Sequence, residues 1–289
     1  MNSEFEEKDY EAPLYGELRF GSHRIATPGQ VFEGKFGIDA AIEALNPLFW
    51  DMFGYYDIPE GVILDDLRWG FVWKRLGKKR KLPNFSTNLL VQAKRPQVLK
   101  RSRADLSRYG VTAKYWRFEI TPHQQLLLER LSHKIRTRAL VVYASAAFDT
   151  LDDLYDFTEK QEVVDNSSFV KVEKMTNHSK WNYNRPGTFG VATSEPEFIE
   201  DMPFSEMIQL YRKEKNIRDE NNSKILSELH NAAVSICHEL RENNPIAKHY
   251  LRINGRLERI SEIFEHKESL DFIGFSLFCN IAKLKWLVI

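Results

Sequence analysis

The chain has 289 residues, of which 43% are hydrophobic, and its 41 basic residues balance its 41 acidic residues. This size and composition predict a folded, soluble protein with one large domain or two small ones. The neutral total gives no argument for a polyanionic partner, so such an argument must come from local clusters of charge. The two cysteines, Cys237 and Cys279, are too few for a disulfide scaffold or a zinc cluster, which favours the reducing cytoplasm.

The N-terminal part of the chain combines an acidic lead-in with candidate strands. Glutamate and aspartate are frequent before residue 12, and the basic and apolar blocks of a signal peptide are missing, so we expect a mobile segment. Phe36, Ile38 and Ile42 fall on one face of an extended segment, which predicts a strand with Asp39 on its other face. Short strands are also expected over 61–64 and 69–73.

A basic loop follows these candidate strands. Its cations are Lys74, Arg75, Lys78, Lys79, Arg80 and Lys81. Further basic residues continue the positive charge downstream, namely Arg95, Lys100, Arg101 and Arg103. A run of this kind is typical of a solvated loop, and it is also a candidate surface for the phosphates of a nucleic acid.

The stretch from Ser86 to Pro96 is an apolar run that ends in polar residues. Gln92 and Lys94 are two residues apart, so on a strand they project to the same face. Pro96 is expected to end this strand. The sequence therefore predicts a buried strand that presents a glutamine and a lysine together at its end.

The next segment predicts more of an α/β domain. Residues 115–120 alternate as a strand, and Thr121 with Pro122 opens a helix over about 123–134. The apolar run 139–148 predicts a strand buried on both faces, which is typical of a central or parallel position. A helix is expected over 150–159, and residues 160–200 are polar and rich in turn-forming residues.

Beyond residue 200 the pattern becomes helical. Ile225, Leu226 and Leu229 begin a series of apolar residues at three- and four-residue steps. The apolar stretch 270–289 is interrupted by charged residues that would be costly in lipid, so we predict a buried element and no membrane contact. We divide the chain into an α/β domain over 1–200 and a helical C-terminal region over 201–289.

The motif Gln92-Ala93-Lys94 on a buried strand, with Asp39 on an earlier strand, resembles the PD-(D/E)xK nuclease superfamily in its QxK variant. The resemblance covers about residues 17–148. It implies a restriction-endonuclease-like mixed sheet flanked by helices and a nuclease that depends on Mg²⁺ or Mn²⁺, with DNA as the expected substrate. Many members of the superfamily act in bacterial restriction or anti-phage defence.

The resemblance also assigns roles to these residues. Asp39, the Gln92 side-chain oxygen and the Ala93 carbonyl would hold the metal, since hard oxygen ligands suit Mg²⁺. Lys94 would stabilise the charge that develops when water attacks the phosphodiester. Because Gln92 stands where an acid is usual, we expect a further carboxylate to help.

The superfamily often carries an acid upstream of the motif aspartate. Glu17 and Glu33 are the candidates for this helper carboxylate. Glu33 lies only six residues before Asp39, which leaves little room for an intervening helix. Glu17 is therefore slightly preferred, and both stay open.

Two other classes of function remain open from the sequence. The first is an interaction protein on the same fold that has lost catalysis and recruits a protein partner through its C-terminal helices. The second is a DNA-binding module in which the basic loops hold the backbone and tryptophans such as Trp69, Trp73 and Trp116 stack on bases, although tryptophans are more often core residues.

In the simplest alternative, Asp39 caps a turn and Gln92 and Lys94 lie on a solvated edge strand. Cleavage of both DNA strands would favour a symmetric dimer.

Overall fold

The computed structural model describes residues 2–20, 88–214, 222–259 and 267–288, apart from residues 102, 137, 188 and 201. Several sequence-based predictions lie outside the described residues. These are the strand with Asp39, the helper Glu33, the strands over 61–64 and 69–73, and the basic loop over 74–81.

A four-stranded mixed sheet carries the predicted glutamine and lysine. Its strands are β1 (Asn88–Lys94), β4 (Ala139–Ala146), β5 (Ser167–Lys171) and β9 (Lys285–Val288). Their spatial order is β5-β4-β1-β9. The strands β1 and β4 are parallel neighbours, and the two outer strands run antiparallel to them.

Both central strands are buried along their whole length, as their continuous apolar runs predict. The strand β1 ends at Lys94, two residues after Gln92 and just before Pro96, so the predicted end of this strand is confirmed. A parallel pair requires a crossover, and the helix α3 (Pro122–Ile135) belongs to this connection. The predicted helix after Thr121 is therefore confirmed, with Pro122 in its first turn.

A second, antiparallel sheet packs on the first. Its strands are β2 (Gln97–Leu99), β3 (Tyr115–Glu119), β6 (Lys180–Tyr183), β7 (Phe189–Thr193) and β8 (Glu197–Glu200). They lie in the order β2-β3-β6-β7-β8. A short helix, α2 (Ala104–Ser107), connects β2 to β3.

Residues 160–200 have the predicted turns or bends at 184–187 and 194–196, and they also form strands that the sequence did not predict. The segment contains β5, a 3₁₀ helix (Val172–Met175) and the strands β6 to β8. These strands have only four or five residues each, and they carry polar residues that the sheet itself satisfies. Asn182, for example, is fully buried, and its Nδ2 donates to the Val191 carbonyl oxygen at 2.8 Å.

One face of the first sheet is covered by three helices from distant parts of the chain. They are α1 (Glu7–Phe20), α4 (Leu151–Lys160) and α5 (Phe204–Glu214). Their buried apolar side chains join Leu89, Val91 and Ala93 of β1 in one cluster. Thr150 caps α4 by accepting a hydrogen bond from the Asp153 N–H at 3.1 Å, as predicted for a helix in this place.

The N-terminus is not a mobile lead-in, and that prediction is wrong. Tyr10, Leu14 and Leu18 of α1 are fully buried against the sheet. Before the helix, the Ser3 N–H donates to the Pro96 carbonyl oxygen and the Glu4 N–H donates to the Asp149 carbonyl oxygen. Asp9 lies on the exposed side of this helix, Glu7, Glu11 and Glu17 are half-buried, and the apolar side belongs to the core.

The opposite face of the first sheet packs on the second sheet and on four helices. Besides α3, these are α6 (Asn222–Leu240), α7 (Pro245–Arg259) and α8 (Lys267–Ile281). The helix α6 contacts α3, α7 and α8. The C-terminal stretch is buried, as predicted, and it ends as β9 beside β1.

The described residues therefore form a mixed α/β fold with two sheets. The residues after 200 supply α5 to one face, α6 to α8 to the other, and β9 to the edge of the first sheet. The division near residue 200 stays a prediction. Among the described residues, no helix has the length and apolarity needed to cross a membrane.

Candidate functional site

Gln92 and Lys94 lie together at the carboxyl end of β1. Their side chains share the face of Leu90, which is the face that packs against α3 and the second sheet. Their exposed fractions are 2% and 9%, so this is not a solvated edge strand. In parallel register, Gln92 lies opposite Tyr143 and Lys94 lies opposite Ser145 of β4.

The Lys94 ammonium is held between α3 and an aromatic ring. Its Nζ donates to the Gln124 Oε1 at 3.0 Å and lies 5.6 Å from the centroid of the Tyr143 ring. Gln124 is fixed in turn, because its Nε2 donates to the Ala282 carbonyl oxygen at 3.0 Å. These contacts orient the lysine at the end of the strand and leave its charge without a salt bridge among the residues described.

Burial lowers the pKa of Lys94 to about 8. The nearby carboxylate of Glu7 opposes this shift, and the charge of Lys283 adds to it. A lysine with this pKa exchanges its proton near neutral pH, which is typical of a group at a functional site. Such a lysine can stabilise negative charge when protonated and can accept a proton when neutral.

The Gln92 side chain presents an unsatisfied oxygen. Its Oε1 is buried and has no hydrogen-bond partner within the described ranges. A buried carbonyl oxygen without a partner costs about 1–3 kcal/mol. An amide oxygen is also a suitable ligand for a hard cation such as Mg²⁺, so this atom fits the role that the sequence assigns to Gln92.

Among the described residues, no strand pairs with the sheet edge at Ala93. The pairing of β9 with β1 ends where Lys285 lies opposite Val91. Beyond it, the Ala93 N–H is within hydrogen-bonding reach of the Tyr15 hydroxyl. The N–H and C=O of one strand residue point to the same edge, so the Ala93 carbonyl also faces this unpaired edge.

The structure does not bring Glu17 to Gln92 and Lys94. Glu17 belongs to α1, on the other face of the sheet, and its Oε2 accepts hydrogen bonds from the Val163 N–H at 2.6 Å and the Val164 N–H at 3.2 Å. Burial raises the pKa of this carboxyl, against the lowering effect of the two backbone donors. Glu17 thus holds the turn after α4 in place.

Glu7 is the carboxylate that acts on Lys94. It stands in the first turn of α1, half-buried, and its charge raises the pKa of the lysine. Glu7 is absent from the predicted site residues because the acidic segment was expected to be mobile. The signal that could have placed it is the four-residue spacing of Tyr10, Leu14 and Leu18, which predicts a helix.

The other predicted ligands give no complete metal site in the described residues. Asp39 and Glu33 lie outside those residues. Within 2–20, 88–214, 222–259 and 267–288, no group of three or more His, Cys, Asp or Glu side chains could hold a metal ion. The described part of the candidate site therefore consists of Gln92, Ala93 and Lys94, with Glu7 nearby.

The residues predicted to contact nucleic acid differ in their exposure and in their partners. Arg95 anchors the N-terminus, because its Nη2 donates to the Ser3 carbonyl oxygen at 2.6 Å and its Nη1 lies 2.7 Å from the Glu6 carboxylate. Lys100 and Arg101 are exposed just after β2. Trp116 is half-buried, with its ring stacked on Tyr183 at a centroid distance of 6.1 Å.

Comparisons with protein-family models, with curated proteins and with solved structures gave no match. The resemblance to the PD-(D/E)xK superfamily therefore rests on the residues of this chain alone.

Replacing Lys94 by methionine should change how the stability of the fold depends on pH. The pKa of Lys94 is about 8 in the folded protein, against an ordinary value of 10.5, so the unfolded chain binds more protons between these values. Below pH 8 the buried ammonium lowers the free energy of unfolding. As the pH increases from 8 to 10.5 this cost disappears, so the free energy of unfolding rises by about 3 kcal/mol in total. The methionine variant lacks this contribution.

The measurement is the free energy of unfolding in urea, for the natural protein and Lys94→Met, at several pH values from 7 to 10.5. The free energy of unfolding of the variant, minus that of the natural protein, should fall by about 3 kcal/mol across this range. Comparing the two proteins cancels the titration of the buried tyrosines, which is common to both. A constant difference would show that Lys94 titrates as an ordinary exposed lysine.

Proposed function

We propose that this protein is a metal-dependent nuclease that hydrolyses phosphodiester bonds, with DNA as its substrate. The observation that carries the proposal is the pair Gln92 and Lys94, buried side by side at the carboxyl end of a parallel strand. The amide oxygen has no partner among the described residues, and the lysine has a lowered pKa. Ligands of open α/β sheets bind beyond the carboxyl ends of such strands. By resemblance, its role would be bacterial restriction or anti-phage defence.

The residues of the chain would divide the chemistry between them. Gln92 Oε1 and the Ala93 carbonyl would hold a Mg²⁺ or Mn²⁺ ion together with Asp39, and the ion would polarise the phosphate and activate the attacking water. The Lys94 ammonium would stabilise the charge that develops on the phosphate oxygens. Gln124 would keep that ammonium oriented through its 3.0 Å hydrogen bond.

Glu7 would supply the missing negative charge. A site with one aspartate and a glutamine has one charge fewer than a site with two acids, which weakens cation binding. The carboxylate of Glu7 is close enough to raise the pKa of Lys94. We therefore assign to Glu7 the helper role for which the sequence offered Glu17 and Glu33.

The deciding experiment is cleavage of supercoiled plasmid and of single-stranded DNA, with Mg²⁺ or Mn²⁺, by the natural protein and by Asp39→Ala at matched purity. The natural protein should cut, EDTA should stop it, and excess metal should restore it. Asp39→Ala should lose cleavage, and it should also lose the metal-dependent rise in melting temperature that the natural protein shows.

Other outcomes would point elsewhere. Equal cleavage by both proteins would indicate a contaminating nuclease and would contradict the assignment of Asp39. Neither cleavage nor a metal-dependent rise in melting temperature would favour a catalytically inactive interaction protein. Salt-sensitive DNA binding that is equal in the natural protein and Asp39→Ala, without cleavage, would favour a DNA-binding module.

A further inference from the structure

A cavity of about 770 Å³ lies along the helix α7. This volume falls within the range of about 300–1,000 Å³ that is usual for small-molecule sites. Its lining includes Arg241 near the end of α6 and Lys248 and Arg252 on α7. Lys248 and Arg252 are four residues apart, so they project from the same side of the helix.

The lining has an excess of positive charge. Besides the two arginines and the lysine, His238 and His249 contribute imidazoles, and Glu258 is the carboxylate among the lining residues described. Some exposed cations of the protein have acidic partners, as Lys134 has in Glu239 at 3.2 Å. In contrast, no salt bridge joins Arg241, Lys248 or Arg252 to a carboxylate in the part of the chain that the structure covers.

Glu258, the carboxylate among the described lining residues, accepts a hydrogen bond from a neutral side chain. Glu258 Oε1 accepts a hydrogen bond from Asn254 Nδ2 at 3.0 Å. Asn254 is 2% exposed, and its Oδ1 lies 3.1 Å from His230 Nε2. His230 Nδ1 lies in turn 2.9 Å from Asp271 Oδ1.

This buried network fixes the back wall of the cavity. Asn254 is also contacted by the Tyr250 hydroxyl at 3.3 Å, so its amide cannot rotate without breaking several hydrogen bonds. Gly274 packs directly on the other side, where a Cβ would lie 2.3 Å from His230 Nε2. The network therefore directs Glu258 Oε1 to Asn254. Arg252 Nη2 lies 3.3 Å from His249 Nδ1, a neighbour that supplies no carboxylate to balance its charge.

We propose that this cavity binds a phosphate ester of about nucleotide size, with Arg241, Lys248 and Arg252 contacting the phosphate. Arginine presents a planar set of donors that matches phosphate oxygens, and lysine adds a point charge. The same phosphate chemistry occurs in a free nucleotide and at the end of a nucleic-acid strand. The proposal does not depend on the nuclease function, because it rests on the C-terminal helices alone.

The test is binding of two probes in the presence of EDTA, so that DNA is not cleaved. One probe is adenosine monophosphate, followed by isothermal titration calorimetry, and the other is a short fluorescein-labelled single-stranded oligonucleotide, followed by anisotropy. Arg252→Ala should weaken binding of at least one probe about tenfold or more, because it removes charge-assisted hydrogen bonds. Arg252→Lys should have a smaller effect, since it keeps the charge.

Lys160→Ala is the matched control. It also removes one exposed cation, but from α4 on the opposite face of the first sheet, and it should leave binding unchanged. Loss of nucleotide binding in Arg252→Ala supports a free nucleotide as the ligand, and loss for the oligonucleotide alone supports a strand end. If neither probe binds, or if Arg241→Ala and Arg252→Ala bind both probes as the natural protein does, the proposal is overturned. A failure to cleave DNA with metal would leave these results unaffected.

Discussion

Replacing Lys94 by alanine should reduce phosphodiester cleavage about 100-fold or more, with the protein still folded. The lysine is the one cation that the structure buries beside Gln92 among the described residues, and its Nζ is oriented by Gln124 at 3.0 Å. Removing it takes away the positive charge from the point where negative charge would develop. The substitution removes a buried charge but leaves the buried Gln124 Oε1 without its donor, so a loss of stability of about 1–3 kcal/mol can accompany the loss of activity.

The measurement is the single-turnover rate of plasmid cleavage, at a temperature at which both proteins are folded. Lys160→Ala is again the control, because it removes the same charge from a distant helix and should cut at the natural rate. Lys94→Arg should recover little activity, since a planar guanidinium does not reproduce the point charge and single donor that Nζ presents to Gln124. Undiminished cleavage by a folded Lys94→Ala would exclude this residue from the reaction.

Trp181→Ala should destabilise the protein by about 3–5 kcal/mol. Trp181 is fully buried between the two sheets, and its Nε1 donates to the Ser168 Oγ at 3.0 Å. Gly190 packs so closely on its ring that a Cβ there would lie 2.1 Å from the ring atom Cζ2. The alanine variant would lose both the packing of the ring and the hydrogen bond that links β6 to β5.

Urea denaturation at neutral pH, followed by circular dichroism, measures this effect. Trp181→Phe provides the comparison, because it keeps an aromatic ring and removes only the donor and part of the volume. We expect it to cost about 1–2 kcal/mol, well below the alanine variant. If both variants were as stable as the natural protein, the packing of the second sheet on the first would not contribute to folding as the structure indicates.

The strands and helix around Gln92 and Lys94 could be predicted because their signals are local. β1 and β4 are continuous apolar runs, and α3 begins with a proline in its first turn. The two-residue spacing of Gln92 and Lys94 fixes their common face in any strand. These predictions needed no knowledge of what packs against the strands.

The remaining elements depend on contacts that are distant in sequence. The strands β6 to β8 are short, and Asn182 would be unfavourable in a sheet without donors and acceptors such as Arg117 Nε at 2.7 Å. Glu7 and Glu17 are both glutamates on α1, and only the packed structure shows which of them lies near Lys94. Spacing along the chain does not reveal which side of a sheet a separate helix will cover.

The position of β9 has a consequence for how the candidate site forms during folding. Its Trp286 Nε1 donates to the Asn88 Oδ1 at 2.9 Å, across a sequence separation of 198 residues. Contacts between such distant residues have a high entropic cost, and they slow folding relative to local contacts. The strand that carries Gln92 and Lys94 is therefore complete only when residues at both ends of a 198-residue separation have met, which ties the candidate site to the folding of the C-terminal helices.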